Sequence, residues 1–335
     1  MPENELSSSI RSALPGREAA SLLTLQRQLE QTQWWPAAEL ERYQFRQLAK
    51  SLRQAHANVP FHRQRLTAAL YDPGLNLTRE VFLALPLMTR SDIQAQGDAL
   101  LIRSVPEEHG RVTVGETSGS TGTPIRYYGT ELTQFFWNVS TLRDHAWHRR
   151  DLTAKLAAIR RYMEDTVRPS WGPPADLIAL TGPCATLDIA TELDAQLEWL
   201  ERQAPAYLIT NVSNLYWLGR RSLERGIRLP GLREARSFGG TLPDDARELI
   251  RRAWGVPVVD VYTAEEVGYI ALQCPEHEHY HVQSENLIVE ILGEDGKPCR
   301  PGEIGKVVLT TLHNFAMPLV RYDIGDYAEA GAPCP

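Results

Sequence analysis

The sequence predicts an α/β protein: a largely parallel sheet flanked by helices, with an antiparallel β part appended. Three observations support this class. From about Val112 onward, short apolar runs alternate with amphipathic helical stretches, the pattern of parallel strands buried on both faces and joined by helices. After Tyr280 the texture becomes β-rich around a Gly/Pro/Asp-rich stretch, which reads as antiparallel pairing. The chain has 335 residues, of which 43% are hydrophobic and 23% charged, enough to bury a large core in an ordinary folded protein.

The elements follow in order. Residues 1–111 read as a helical region. Leu48, Leu52 and Ala55 recur at helical spacing, Pro60 closes that segment, and Leu85-Pro86-Leu87 looks like an extended connector. Thr89-Arg90-Ser91-Asp92 is a helix start with a hydroxyl at the cap. Residues 112–275 form the α/β core. Its candidate buried strands are Leu156 to Ile159, Leu177 to Leu180, Tyr207 to Ile209 and Val256 to Val261. Leu193, Leu197 and Leu200 share one helical face, as do Ala246, Leu249, Ile250 and Ala253, with Pro243, Asp244 and Asp245 suited to a first turn. Residues 276–335 are the β-rich part, with strands expected at Leu287 to Leu292 and Lys306 to Leu312.

Several function classes are excluded or disfavoured. A formal net charge of −7 offers no basic surface for nucleic acid or anionic membrane. The polar, Ser-rich start has no apolar stretch of a signal peptide, and no run is long enough to span a bilayer. Cys184, Cys274, Cys299 and Cys334 are too scattered for a disulfide framework, so the expected compartment is the cytoplasm.

The most informative stretch is Thr117-Ser118-Gly119-Ser120-Thr121-Gly122-Thr123-Pro124, in which five of eight residues carry hydroxyls. Glycines let backbone N–H groups approach a ligand, and hydroxyls add donors for phosphate oxygens. It lacks the lysine of a Walker loop and the glycine pattern of a nucleophile elbow. A plain Ser/Gly/Thr turn fits the composition equally well. Downstream lie Gly239-Gly240-Thr241, then Asp260-Val261-Tyr262-Thr263-Ala264-Glu265-Glu266, then Arg321-Tyr322-Asp323-Ile324-Gly325-Asp326. Each alone also reads as an ordinary strand-to-helix or acidic turn.

In this order the four segments resemble the motifs of the adenylate-forming superfamily of acyl- and aryl-CoA ligases. Trp34-Trp35, Ala55 to Phe61 and Leu85-Pro86-Leu87 narrow the resemblance to phenylacetate-CoA ligases and the related coenzyme F390 synthetases. The resemblance implies the large N-terminal domain of such an enzyme and ATP with Mg²⁺ as cofactors. Thr117 to Thr123 would hold the β- and γ-phosphates, with Thr121 among the catalytic residues. Gly239, Gly240 and Thr241 would pass beside adenine and the acid's carboxylate. Tyr262 would stack on adenine, Asp260 would lie near its amino group, and Thr263 stands where the family has glycine. Glu266 would hold Mg²⁺, for which one carboxylate plus phosphate oxygens suffices. Asp326 would accept hydrogen bonds from the ribose hydroxyls. Glu265, where Ser or Thr is common, departs from the pattern and adds repulsion near ATP.

The branch also implies a structural zinc, with Cys274, His281 and Cys334 as ligands. The relatives' terminal Cys-Pro-Cys-Gly stops here at Cys334-Pro335, which leaves a fourth ligand missing. Read from the residues alone, a polar loop with solvated histidines at His277, His279 and His281 fits as well. The family's small C-terminal domain, with its catalytic lysine, is expected to be absent, since Lys297 and Lys306 precede Asp326.

The implied activity is ATP-dependent conversion of an aryl or acyl carboxylic acid to an acyl-adenylate. A thioester with CoA or a carrier-protein thiol would follow, impaired without the lysine. Two other functions stay open: nucleotidyl transfer of the F390-synthetase type, and a non-catalytic nucleotide-binding module. The acid pocket is expected between Tyr162 and Phe238, with Trp171, Tyr207 and Phe238 as aromatic candidates that equally suit a core.

Overall fold

The structure, a computed structural model, describes residues 15–117 and 124–334. The N-terminal part is helical: α1 (Arg17–Thr32), α2 (Ala37–Asn58), α3 (Pro60–Ala68), α4 (Arg79–Ala84) and α5 (Arg90–Gln96). Pro60 opens α3 at its first turn, where its missing N–H costs nothing. Thr89 caps α5 reciprocally with Asp92, whose carboxylate accepts from the Thr89 amide at 2.7 Å.

A two-stranded hairpin follows, β1 (Val112–Glu116) and β2 (Arg126–Thr130), leading into α6 (Glu131–Trp147). Thr130 and Thr133 form the capping box that starts α6. The core then runs β3 (Leu156–Arg160), β4 (Thr166–Arg168), α7 (Ala175–Ile178), β5 (Cys184–Asp188), α8 (Leu193–Gln203), β6 (Tyr207–Asn211), α9 (Val212–Arg225), β7 (Glu234–Phe238), α10 (Asp244–Trp254), β8 (Val258–Ala264), β9 (Gly268–Gln273) and β10 (Tyr280–Val282). These strands form an eight-stranded sheet in the order β10-β9-β8-β7-β6-β3-β5-β4. Its centre, from β5 to β8, is parallel, while β4, β9 and β10 pair antiparallel at the edges. A separate antiparallel sheet of β11 (Leu287–Leu292), β12 (Ile304–Thr311) and β13 (Tyr322–Glu329) completes the fold. This is the α/β class with an appended antiparallel part that the sequence predicts.

Alternation along the parallel strands gives the large sheet two different faces. One face, with Ala157, Ile159, Leu208 and Ala235, packs on the apolar stripes of α8, α9 and α10 as the main core. The other mixes an apolar cluster of Leu156, Ala158, Tyr207 and Ile209 with charged Arg160, Glu234 and Arg236. Asp144 of α6 is fully buried above this face and pairs with Arg150 at 2.7 Å and with Arg236. Arg150 also reaches Glu234 at 2.7 Å. The two guanidiniums hold the Asp144 carboxyl below the usual range against the opposing cost of burial.

One strand expected from sequence does not form. Leu177 to Leu180 is the short helix α7 and a loop in which Leu180 is exposed, preceded by Pro173-Pro174. A short apolar run is ambiguous between helix and strand, and the prolines deny it ladder donors. The connector Leu85-Pro86-Leu87 leads into an unforeseen bridge, since Met88 pairs in parallel with Tyr322.

Candidate active site

The phosphate-loop residues Ser118, Gly119, Ser120, Thr121, Gly122 and Thr123 lie outside the described residues. Both ends of that segment are fixed by the β1–β2 hairpin. The Thr117 amide donates to Ile125 O at 3.0 Å, and the Ile125 amide donates to Thr117 Oγ1 at 3.2 Å. Arg90, at the first turn of α5, donates to the same Thr117 hydroxyl at 3.2 Å.

From Thr117 the contacts run on to Glu266. The Tyr322 hydroxyl donates to Glu266 Oε1 at 3.3 Å, and Arg90 lies close enough to bias both groups. Glu266 is 8% exposed, and burial pushes its carboxyl up, with Tyr322 and Arg90 among the groups that oppose the rise. Tyr262, on β8 just before Glu266, donates its hydroxyl to Asp326 Oδ2 at 2.6 Å. Burial first, then this bond to Asp326, pushes the Tyr262 phenol up. Gly325, at φ +90°, turns the backbone just before Asp326, a conformation open to glycine. Arg90 thus joins Thr117 to the Glu266–Tyr322 pair, while Tyr262 pairs separately with Asp326.

Glu266 borders a cleft of about 950 Å³ between the hairpin with α6 on one side and Glu265 to Tyr269 on the other. Its walls include Tyr127, Trp137, Tyr269, His313 and both Glu265 and Glu266. Gly115 is required here, because a Cβ would lie 2.3 Å from the Tyr127 ring that crosses β1. Trp137 and Tyr269 meet edge to face at 4.9 Å, and the Tyr269 hydroxyl accepts from Thr141 at 3.1 Å.

Gly239, Gly240 and Thr241 are exposed at the C-terminal end of β7, where open α/β sheets take ligands. Gly239 has φ +71°, and a Cβ there would press on Asn211 at 3.0 Å. Asp260 is buried; Ser237 donates to Oδ1 at 2.5 Å and Tyr280 to Oδ2 at 2.8 Å, so both oxygens are engaged within the protein. Thr263 follows a register shift in the β8–β9 pairing and lies opposite Tyr269.

No family model matches the chain. Among curated proteins it resembles the phenylacetate-coenzyme A ligase of Thermus thermophilus, at 24% identity over 87% of this chain. The enzyme of the same name from Pseudomonas putida matches at 24% over 86%. The chain spans 66% of the length of each of these relatives. The chain is thus similar in sequence to phenylacetate-coenzyme A ligases of two organisms. Its fold is that of an open conformation of 2-hydroxyisobutyryl-CoA ligase solved with 2-HIB-AMP and CoA. The TM-score is 0.68 at 18% identity, covering 88% of this chain and 70% of that one.

The chain carries a second group of side chains away from the cleft. Ligand atoms of Cys274, His279, His281 and Cys334 lie within 4.8 Å of one another. The turn after β9 builds the group, with the Cys274 amide donating to His279 O at 2.8 Å. The fourth ligand expected to be missing is therefore offered by His279, whose buried Nε2 has no hydrogen-bond partner among the described residues. Two thiols and two imidazoles suit a tetrahedral zinc. His277 only stacks on His279, at 5.3 Å.

Sequence reasoning missed Arg90, Tyr127 and Tyr322 at the site. Arg90 was legible only as part of a helix start, because its partners are distant in the chain. The aromatic candidates Trp171 and Tyr207 pack against each other in the core. The cleft instead takes its aromatics from β2, α6 and β9, outside the stretch expected to form an acid pocket.

Proposed function

We propose that this chain binds ATP and a carboxylic acid at the cleft and activates the acid as an acyl-adenylate. The carboxylate oxygen attacks the α-phosphorus, an O–P bond forms, and pyrophosphate leaves with the broken phosphoanhydride. CoA or a carrier-protein thiol is the proposed acceptor of the acyl group. The observation that carries the reading is Glu266 at the cleft, bonded to Tyr322 and biased by Arg90, which also holds Thr117 at the base of the loop. In this reading the hydroxyl-rich loop beginning at Thr117 grips the terminal phosphates, Arg90 adds positive charge at its base, and Asp326 receives the ribose hydroxyls. Glu266 and phosphate oxygens would hold Mg²⁺, which neutralises charge on the leaving pyrophosphate. Catalysis is then mostly positioning and electrostatics.

Cys274, His279, His281 and Cys334 are proposed to hold a structural zinc, which would tie the terminal segment to the β9–β10 turn. A closed set of four protein ligands leaves no position for substrate.

The test is acid-dependent exchange of pyrophosphate into ATP across a panel of aryl and aliphatic acids. At least one acid should support exchange, and Glu266→Gln should reduce it about 100-fold or more. Exchange that survives Glu266→Gln at the wild-type rate, or is absent with every acid, would refute the reading.

A further inference from the structure

The face of the large sheet under α6 holds more positive than negative charge. Arg150 pairs with Asp144 and Glu234, and Arg236 pairs with Asp144. Arg160, at the C-terminal end of β3, has no carboxylate partner among the described residues. Its register neighbour on β5, Asp188, accepts instead from the Ala190 amide at 2.8 Å. The groups that bias Arg160 are Arg236, Tyr269 and Cys184, none of them a carboxylate, and burial lowers its pKa. The guanidinium lies 4.7 Å from the centre of the Phe238 ring, with Nε buried and unbonded. The side chain as a whole remains partly accessible.

Burying a guanidinium without a counter-charge is costly, and cation–π contact recovers only part of that cost. Its position gives the excess charge a use. Phe238 directly precedes Gly239-Gly240-Thr241 at the C-terminal edge of the sheet. It also packs against the Tyr269 cluster, which Trp137 joins, and Trp137 and Tyr269 line the cleft. A planar guanidinium with free N–H groups matches a carboxylate in two-point fashion.

We propose that Arg160 receives a second carboxylate of the acid substrate, so that the acid activated by this chain is a dicarboxylic acid. The inference rests on the acid-activation reading above and names its substrate class. One carboxylate lies toward Gly239 for activation, and the other is held by Arg160 over Phe238. A mono-acid leaves the guanidinium unpaired and binds more weakly.

Calorimetry separates the two readings. Dicarboxylates of increasing length, each paired with its monomethyl ester, are titrated into the wild-type chain, Arg160→Lys and Arg160→Met. At least one diacid should bind about tenfold or more tightly than its ester, the worth of a charge-assisted pair. Arg160→Met should abolish that preference, and Arg160→Lys should retain part of it. Equal affinity of wild type for diacid and ester, no diacid binding at all, or an undiminished preference in a folded Arg160→Met would each overturn the proposal. Should Arg160→Met fail to fold, the wild-type comparison and Arg160→Lys decide it alone. Pyrophosphate exchange with the same compounds reports separately on activation. Diacid binding that depends on Arg160 but never supports exchange leaves the anion site standing and sinks adenylation. Exchange with mono-acids that ignores Arg160→Met does the reverse.

Discussion

Arg90 shows how one side chain can organise a site without belonging to any motif. It meets Thr117 at the base of the loop and biases both Glu266 and Tyr322. Its loss should raise the Glu266 carboxyl further and remove a cation from beside the terminal phosphates. Arg90→Ala is expected to weaken binding of a non-hydrolysable ATP analogue by about tenfold or more. The melting temperature should hold, because the Thr89–Asp92 box that starts α5 is untouched. Affinity equal to wild type by calorimetry would remove Arg90 from the nucleotide site. Tyr262 and Asp326, by contrast, are expectations of the sequence, since each sits within a segment that carries the resemblance. Their mutual hydrogen bond was not legible, because it joins residues far apart in the chain.

Among the elements, the β9–β10 hairpin departs most from expectation. The sequence offered Cys274, His281 and Cys334 and left the fourth ligand missing. In the turn between the strands the Cys274 amide bonds to His279 O, and the His279 ring lies beside His281 at 5.0 Å. The proposed zinc predicts about one equivalent by elemental analysis of the purified chain. Cys274→Ser should lose the metal and lower the melting temperature, and a chelator should do the same to wild type while leaving Cys274→Ser unchanged. Metal content unaffected by Cys274→Ser would place any zinc elsewhere. The parallel strands were the easiest elements to read. Leu156 to Ile159 and Tyr207 to Ile209 are continuous apolar runs because both faces of the sheet are covered. Leu177 to Leu180 has the same look yet becomes α7 and a loop, because composition cannot separate a short helix from a strand.

At the scale of the molecule, acid stability depends on histidines buried as neutral rings. Burial pushes His62 down to about 3 and His313 down to about 4. The unfolded chain takes up these protons near the ordinary value of about 6.5, before the folded state does. The neutral-ring contribution is therefore fully present above that pH and is lost as pH falls toward the folded values. Urea unfolding should show stability declining from about pH 6.5 to 4.5, with a shallower decline in His313→Gln. An unchanged slope in that variant would assign the decline to other groups.

Long-range assembly was the least legible part of the sequence. Leu48, Leu52 and Leu85 of the helical region pack against Leu312 and Val320. Arg321 donates to Leu83 O and Leu85 O while pairing with Glu290 at 2.9 Å. Met88 exchanges backbone hydrogen bonds, each 2.8 Å, with Arg321 and Asp323. These ties set an order for folding during synthesis. On the ribosome, helices α2 to α5 emerge well before the strand that anchors them. The central sheet, built from near neighbours in sequence, can gather as it leaves the exit tunnel. These helices must wait with their apolar stripe uncovered, and a chaperone would find its natural client there.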